Sequence, residues 1–136
     1  MESWLASALL ALLIYGLWGF FPKIAVSYIN PLSAVVYQVG GGLVIGLLAL
    51  MLTGFRLEVQ PVGVLFAFLT GVCGVLGTLF YFAAASRGPI SLVASLTALY
   101  PLITIVLAVT ILHEPLTARQ LLGMAFALLA IVLMAG

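Results

Sequence analysis

Charged residues are scarce in this 136-residue sequence, in which Asp, Glu, Lys and Arg together make up only 5%. Four basic and three acidic residues give a formal net charge of +1, which excludes a strongly basic surface for nucleic acid. The single cysteine, Cys73, excludes an internal disulfide, and we interpret it as a small packing residue. The single histidine, His113, and the adjacent Glu114 are too few ligands for a metal site.

Catalytic motifs are also missing. The sequence contains no nucleophile accompanied by a base and an orienting acid, and no glycine-rich loop that would hold a phosphate. We therefore predict that the protein is not an enzyme and that it uses no cofactor and no metal.

Apolar residues, in contrast, make up 66% of the sequence, which leaves too little polar surface to cover a soluble globule. We therefore predict an integral, multi-pass membrane protein whose surroundings are the lipid bilayer. The first apolar run carries Glu2 where a signal peptide would have basic residues, so we expect this run to be retained as a span.

Breaks that contain proline divide the apolar sequence into five segments long enough to cross a membrane. The predicted helices cover about residues 4–29, 32–53, 62–85, 90–112 and 117–135. Thr117 followed three residues later by Gln120 is typical of a capping box at the start of the last helix. The predicted fold class is all-α, a single domain over residues 1–136 in which five transmembrane helices form a bundle.

The fourth predicted helix contains Pro101 near its middle. A proline there leaves the carbonyl of Thr97 without its helical hydrogen bond, which costs several kcal/mol in lipid. This face of the helix should therefore meet other protein or a watery cavity. We include Thr97, Tyr100, Pro101 and Thr104 among the candidates that line a substrate cavity.

Lys23 is the most informative polar residue, because a lysine at the centre of a membrane helix costs about 2.5 to 3.5 kcal/mol. Tyr15, Gly19, Lys23 and Ser27 recur every four residues and form one small, polar stripe. Two interpretations stay open, a residue that lines a cavity and an interfacial anchor whose ammonium reaches the membrane surface.

Other candidates lie on the second and third predicted helices. Gln38 either holds helices together or contacts substrate, because an amide is costly to expose to lipid. Thr78 and Tyr81 share one face of the third helix, and Tyr81 could equally join an aromatic belt. Small residues that allow close helix packing are Gly42, Gly46, Gly71, Gly74, Gly77, Gly123 and Ala127. Glu114, in a loop, is interpreted as a local capping and charge-pairing group with Arg119 as its partner.

Two sequence motifs resemble those of a known family. The run Trp18-Gly19-Phe20-Phe21-Pro22-Lys23 is similar to a motif in the first helix of EamA-like halves of the drug/metabolite transporter superfamily. Tyr100-Pro101, Glu114-Pro115-Leu116-Thr117 and Gln120-Leu121-Leu122-Gly123 resemble the end of the same half. The chain resembles the small five-helix bacterial and archaeal branch.

The resemblance implies half of an inverted-repeat transporter, a permease or exporter that moves an unidentified small solute. It implies alternating access around a cavity lined by helices one to four, in an oligomer. Two alternatives stay open: a subunit that flips lipid-linked headgroups, and a membrane scaffold that does not transport.

The distribution of basic residues favours a dual orientation in the inner membrane. Lys23 and Arg87 fall on one side of the predicted membrane, and Arg56 and Arg119 fall on the other. Because the bias that orients membrane proteins is then zero, the chain could insert both ways. We therefore predict an antiparallel homodimer in preference to a parallel one, since two inverted copies recreate an inverted repeat.

Overall fold

The computed structural model describes residues 3–135, and this part of the chain contains α-helices and no strands. The helices are α1 (Ser3–Tyr28), α2 (Pro31–Leu52), α3 (Pro61–Arg87), α4 (Ile90–Thr97), α5 (Tyr100–Ile111) and α6 (Ala118–Ala135). Four stretches are long and apolar enough to cross a membrane, namely α1, α2, α3 and the continuous range Ile90–Ile111 that contains α4 and α5. A shorter apolar helix covers Ala118–Ala130. The prediction of an all-α membrane protein is confirmed, and these four stretches with the shorter helix are consistent with five helices.

Local side-chain chemistry fixes the start of α2. The side chain of Asn30 accepts a hydrogen bond from the backbone amide of Ser33 at 2.9 Å, and Pro31 occupies the first turn. Asparagine before a helix satisfies an amide that the first turn leaves unpaired, and proline at this position has no amide to satisfy.

The end of α2 is a turn of the Schellman type. Gly54 adopts a φ of 61°, which glycine tolerates without strain. Its amide donates to the Met51 carbonyl at 3.0 Å, and the Phe55 amide donates to the Leu50 carbonyl at 3.0 Å. These bonds satisfy carbonyls that the end of the helix would otherwise leave free.

The capping box predicted before α6 is confirmed. The amide of Gln120 donates to Thr117 Oγ1 at 3.3 Å, and the amide of Thr117 donates to Gln120 Oε1 at 2.8 Å. The two residues thus satisfy each other's free amides at the first turn of α6.

The fourth span departs from the prediction of one helix over 90–112, because it is divided at Ala98 and Leu99 into α4 and α5. Pro101 cannot donate to the Thr97 carbonyl, so the regular pattern of hydrogen bonds fails there. The Leu99 amide instead donates to the Leu96 carbonyl at 3.2 Å, a tighter turn with partners three residues apart. The proline therefore interrupts the helix rather than only bending it.

The chain forms two compact units, Met1–Arg87 and Gly88–Gly136. In the first unit α3 packs against both α1 and α2, and in the second α4 packs against α6. The buried residues of the first unit are concentrated in the last part of α3 and include Tyr81, Phe82 and Ala85. The assignment of the whole chain to a single domain stays a prediction.

Candidate functional site

Two side-chain hydrogen bonds join α1 to α3 inside the first unit. The Tyr81 hydroxyl donates to the Gly19 carbonyl at 2.8 Å, and Lys23 Nζ donates to the Ala85 carbonyl at 2.8 Å. Lys23 follows Gly19 by about one turn of α1, and Ala85 follows Tyr81 by about one turn of α3. The two helices therefore run in the same direction where they meet. The stripe predicted on α1 therefore faces α3 at Gly19 and Lys23.

Tyr81 is turned towards α1 rather than outwards to the bilayer surface. Only 5% of it is exposed, and its ring lies 5.2 Å from that of Trp18 with an interplanar angle of 37°. A Cβ placed on Gly19 would lie 3.4 Å from the Tyr81 hydroxyl oxygen. A Cβ here would therefore be in ordinary van der Waals contact with the tyrosine, and only a larger side chain would compete with it for space.

A third polar contact joins α2 to α3. Gln38 Nε2 donates to Thr78 Oγ1 at 3.4 Å, and the Thr78 hydroxyl donates to the Gly74 carbonyl at 2.7 Å. Gln38 Oε1 is buried and has no hydrogen-bond partner among the described residues. A buried acceptor without a donor is costly, so this oxygen is an unsatisfied polar group at the contact of α2 with α3.

We call Lys23, Gln38, Thr78 and Tyr81 the polar cluster. Beside it lies a groove of about 270 Å³, which Gln38 shares with mainly apolar residues. Those residues include Trp18, Phe21, Pro22, Tyr37 and Phe82. Apolar walls with a few polar groups are the usual composition of a small-molecule site.

The remaining predicted cavity residues are described within the unit to which each belongs. In the first unit, 62% of Tyr15 is exposed. Thr97, Tyr100, Pro101 and Thr104 belong to the second unit. There the Thr97 hydroxyl donates to the Val93 carbonyl at 2.8 Å, and the Thr104 hydroxyl donates to the Tyr100 carbonyl at 3.4 Å. Tyr100 and Pro101 are both exposed.

The small residues predicted to mediate packing have open space around them within this chain. A Cβ added to any of the glycines in this set would meet no other atom within 4 Å; they are Gly42, Gly46, Gly71, Gly74, Gly77 and Gly123. Ala127 lines a groove between α5 and α6. Surfaces of this kind accept another helix at close range, which is the usual use of glycine in membrane helices.

Comparison with known proteins decides the family. The model of the EamA-like transporter family matches residues 2–136. The chain belongs to the EamA-like transporter family. The resemblance seen in the two sequence motifs is thereby confirmed. An uncharacterized protein of Methanocaldococcus jannaschii is 29% identical over 135 residues, which cover 98% of this chain and 97% of that protein. No solved structure matches.

Membership of this family establishes the coarse function. EamA-like proteins are multi-pass membrane transporters of small solutes, and this agrees with the prediction that the chain is not an enzyme. The motif residues Gly19 and Lys23 of this EamA-like chain are the ones that join α1 to α3.

Glu114, in the second family motif, does not form the ion pair expected with Arg119, and the described residues contain no such contact. The end of α5 is instead made by the backbone. His113 adopts a φ of 55°, and the Glu114 amide donates to the Ala108 carbonyl at 3.3 Å. The carboxylate of Glu114 is therefore left for another partner.

The predicted site did not include two groups that the structure places beside the polar cluster. Phe82 lines the groove, and the Ala85 carbonyl accepts the hydrogen bond from Lys23. Ala85 shares a face with Thr78 and Tyr81 at helical spacing, so its position on α3 can be found from the sequence. Its role as the acceptor for Lys23 cannot, because every residue carries the same carbonyl group.

Proposed function

We propose that this EamA-like chain carries a small solute across the inner membrane by alternating access, with the polar cluster on the path of the solute. One observation supports the proposal: polar side chains make three hydrogen bonds that join α1 and α2 to α3 in the first unit, inside segments of transmembrane length. Polar groups are costly at membrane depth and generally face a bundle interior or a watery path.

The contacts of the polar cluster suit a path that opens and closes. They are single hydrogen bonds, of which the contact between Gln38 and Thr78 is long at 3.4 Å. Hydrogen bonds between membrane helices contribute about 0.6 kcal/mol each on average. A solute that offers a donor to Gln38 Oε1 or an acceptor to Lys23 can therefore replace one of these contacts at little cost.

Lys23 has a favourable resting position in this cycle. The Ala85 carbonyl lies within the last turn of α3, where the free carbonyls carry a partial negative charge. The helix end therefore stabilises the ammonium between transport steps and competes with a solute for it.

We also propose that transport requires an antiparallel homodimer. In α1, α2 and α3 at most 6% of the most apolar stretch is buried. The open space around Gly42, Gly46, Gly71 and Gly74 is available to a second copy. Two inverted copies would supply the inverted repeat around which alternating access operates.

The transport proposal is tested first with purified protein. Thermal melting against panels of metabolites identifies a solute, because a ligand stabilises only the state that it binds. Uptake of that solute into proteoliposomes is then measured for Lys23→Ala and Gln38→Ala, with Tyr15→Ala as the control outside the polar cluster. We expect the first two variants to lose most uptake and the control to keep it. Full uptake by both cluster variants would contradict a solute path through the polar cluster, and absence of uptake by the unmodified chain would leave the membrane scaffold as the better interpretation.

The dimer proposal is tested with reporters fused to the C-terminus, which should report both sides of the membrane in one culture. One lysine added to either side should then shift the population, because the present balance is two against two. Insertion of the unmodified chain in one orientation only would contradict the antiparallel dimer.

A further inference from the structure

A second groove lies within the second unit, between α5 and α6. It has a volume of about 410 Å³, within the usual size of a small-molecule site. Ile105 and Ala108 form part of one wall, and Gly123 and Ala127 form part of the other. Glu114 and Gln120 lie at the end nearest the connecting loop. The groove thus joins a polar loop to apolar membrane segments.

The depth that the groove reaches in the membrane follows from the position of its residues along α6. Gln120 lies in the first turn of this helix, and Ala127 lies nine residues after its first residue, Ala118. At 1.5 Å per residue this is about 14 Å, roughly half of a hydrocarbon core of about 30 Å. An occupant therefore has a polar end at the membrane surface and an apolar part that reaches towards the centre of the bilayer.

The polar groups at the mouth of the groove define the headgroup that fits. Glu114 is the one charged residue among the described residues that line it, and it forms no ion pair within the described chain. Gln120 Oε1 already accepts from the Thr117 amide and hydroxyl, so the amide nitrogen is the group left to donate. The mouth therefore offers an anionic acceptor beside a neutral donor.

We propose that this groove binds a bilayer lipid with a primary ammonium headgroup, of the phosphatidylethanolamine class. The ammonium donates to the Glu114 carboxylate, a phosphate oxygen accepts from the Gln120 amide nitrogen, and one acyl chain lies between α5 and α6. Hydrogen bonds to a charged acceptor are stronger than neutral ones, and a quaternary ammonium cannot make them. The groove is lined by none of the residues of the polar cluster, and the proposal does not depend on the transported solute.

The test is native mass spectrometry of the full chain, reconstituted in bilayers with equal amounts of phosphatidylethanolamine and phosphatidylcholine that carry the same acyl chains. We expect the ethanolamine lipid to be retained about 1.4- to five-fold more often than the choline lipid, the range given by one exposed charge pair. Glu114→Gln should abolish this preference. Glu58→Gln, which removes a carboxylate from a different loop, should leave it unchanged.

A second pair of variants tests the apolar part of the groove. Gly123→Leu should reduce retention of both lipids, because the added side chain fills the space between α5 and α6. Gly16→Leu is the control, since a Cβ at Gly16 also meets no atom within 4 Å but lies outside the groove. Equal retention of the two lipids by the unmodified chain would overturn the proposal. So would a disulfide between two copies of Gly123→Cys in a Cys73→Ser background, because a second chain would then fill the groove.

Discussion

Replacing Tyr81 with phenylalanine removes one hydroxyl and keeps the aromatic ring. Tyr81→Phe therefore isolates the hydrogen bond to the Gly19 carbonyl, which is 2.8 Å long. The ring contact with Trp18, at 5.2 Å between centroids, remains. The Gly19 carbonyl is not left unpaired, because within an α-helix it also accepts from the amide of Lys23. The free energy of unfolding should fall by about 0.6 kcal/mol and by no more than about 1.7 kcal/mol.

This loss corresponds to an increase of about three-fold, and at most about 18-fold, in the unfolding equilibrium constant. Unfolding is measured by titration of mixed micelles with a denaturing detergent, for the variant and the unmodified protein in the same lipid. Tyr15→Phe is the matched control on α1, because 62% of Tyr15 is exposed and its hydroxyl should contribute nothing. If Tyr81→Phe and Tyr15→Phe unfold alike, the bond between α1 and α3 does not stabilise the protein as described.

Three further predictions concern the same contacts and helix ends. Gly19→Leu should destabilise the first unit far more than Gly16→Leu in a thermal melt, because the Tyr81 hydroxyl lies 3.4 Å from an added Cβ at Gly19 and nothing lies near Gly16. Pro101→Ala should allow one continuous helix over residues 90–111. It should lower the turnover number for transport more than it changes KM. Unchanged transport rates would show that the break in the helix takes no part in the transport cycle. Thr117→Ala should cost about 1 kcal/mol and speed amide hydrogen exchange in the first turn of α6 alone, and slow exchange there would contradict the role of the capping box.

Proline shows which parts of the fold the sequence predicts and which it does not. The helix ends near Asn30, Gly54 and Thr117 follow from side chains and backbone angles that act over a few residues. Pro22 and Pro101 carry the same chemical defect, yet α1 continues through Pro22 and the fourth span is divided before Pro101. The difference depends on whether the residues before the proline form a tighter turn, which helical periodicity does not determine.

The polar cluster shows the corresponding limit for the site. Spacing of four residues places Gly19 and Lys23 on one face of α1, and the same spacing places Tyr81 and Ala85 on one face of α3. Spacing does not give the rotation of one helix against another, so the pairing across the two helices could not be predicted. Two of the acceptors are backbone carbonyls, which have no signature in the sequence.

The position of the polar cluster on a solute path is tested most directly by the accessibility of Thr78 to water. Only 4% of Thr78 is exposed in this structure, so a reagent reaches it only when the helices separate. Thr78→Cys is made in a Cys73→Ser background and treated in vesicles with a membrane-impermeant thiol reagent. Phe80→Cys is the control that faces lipid, because 72% of Phe80 is exposed. We predict that position 78 is labelled, that substrate changes the rate of labelling, and that position 80 resists the reagent. Resistance of position 78 in every transport condition would contradict a solute path through the polar cluster.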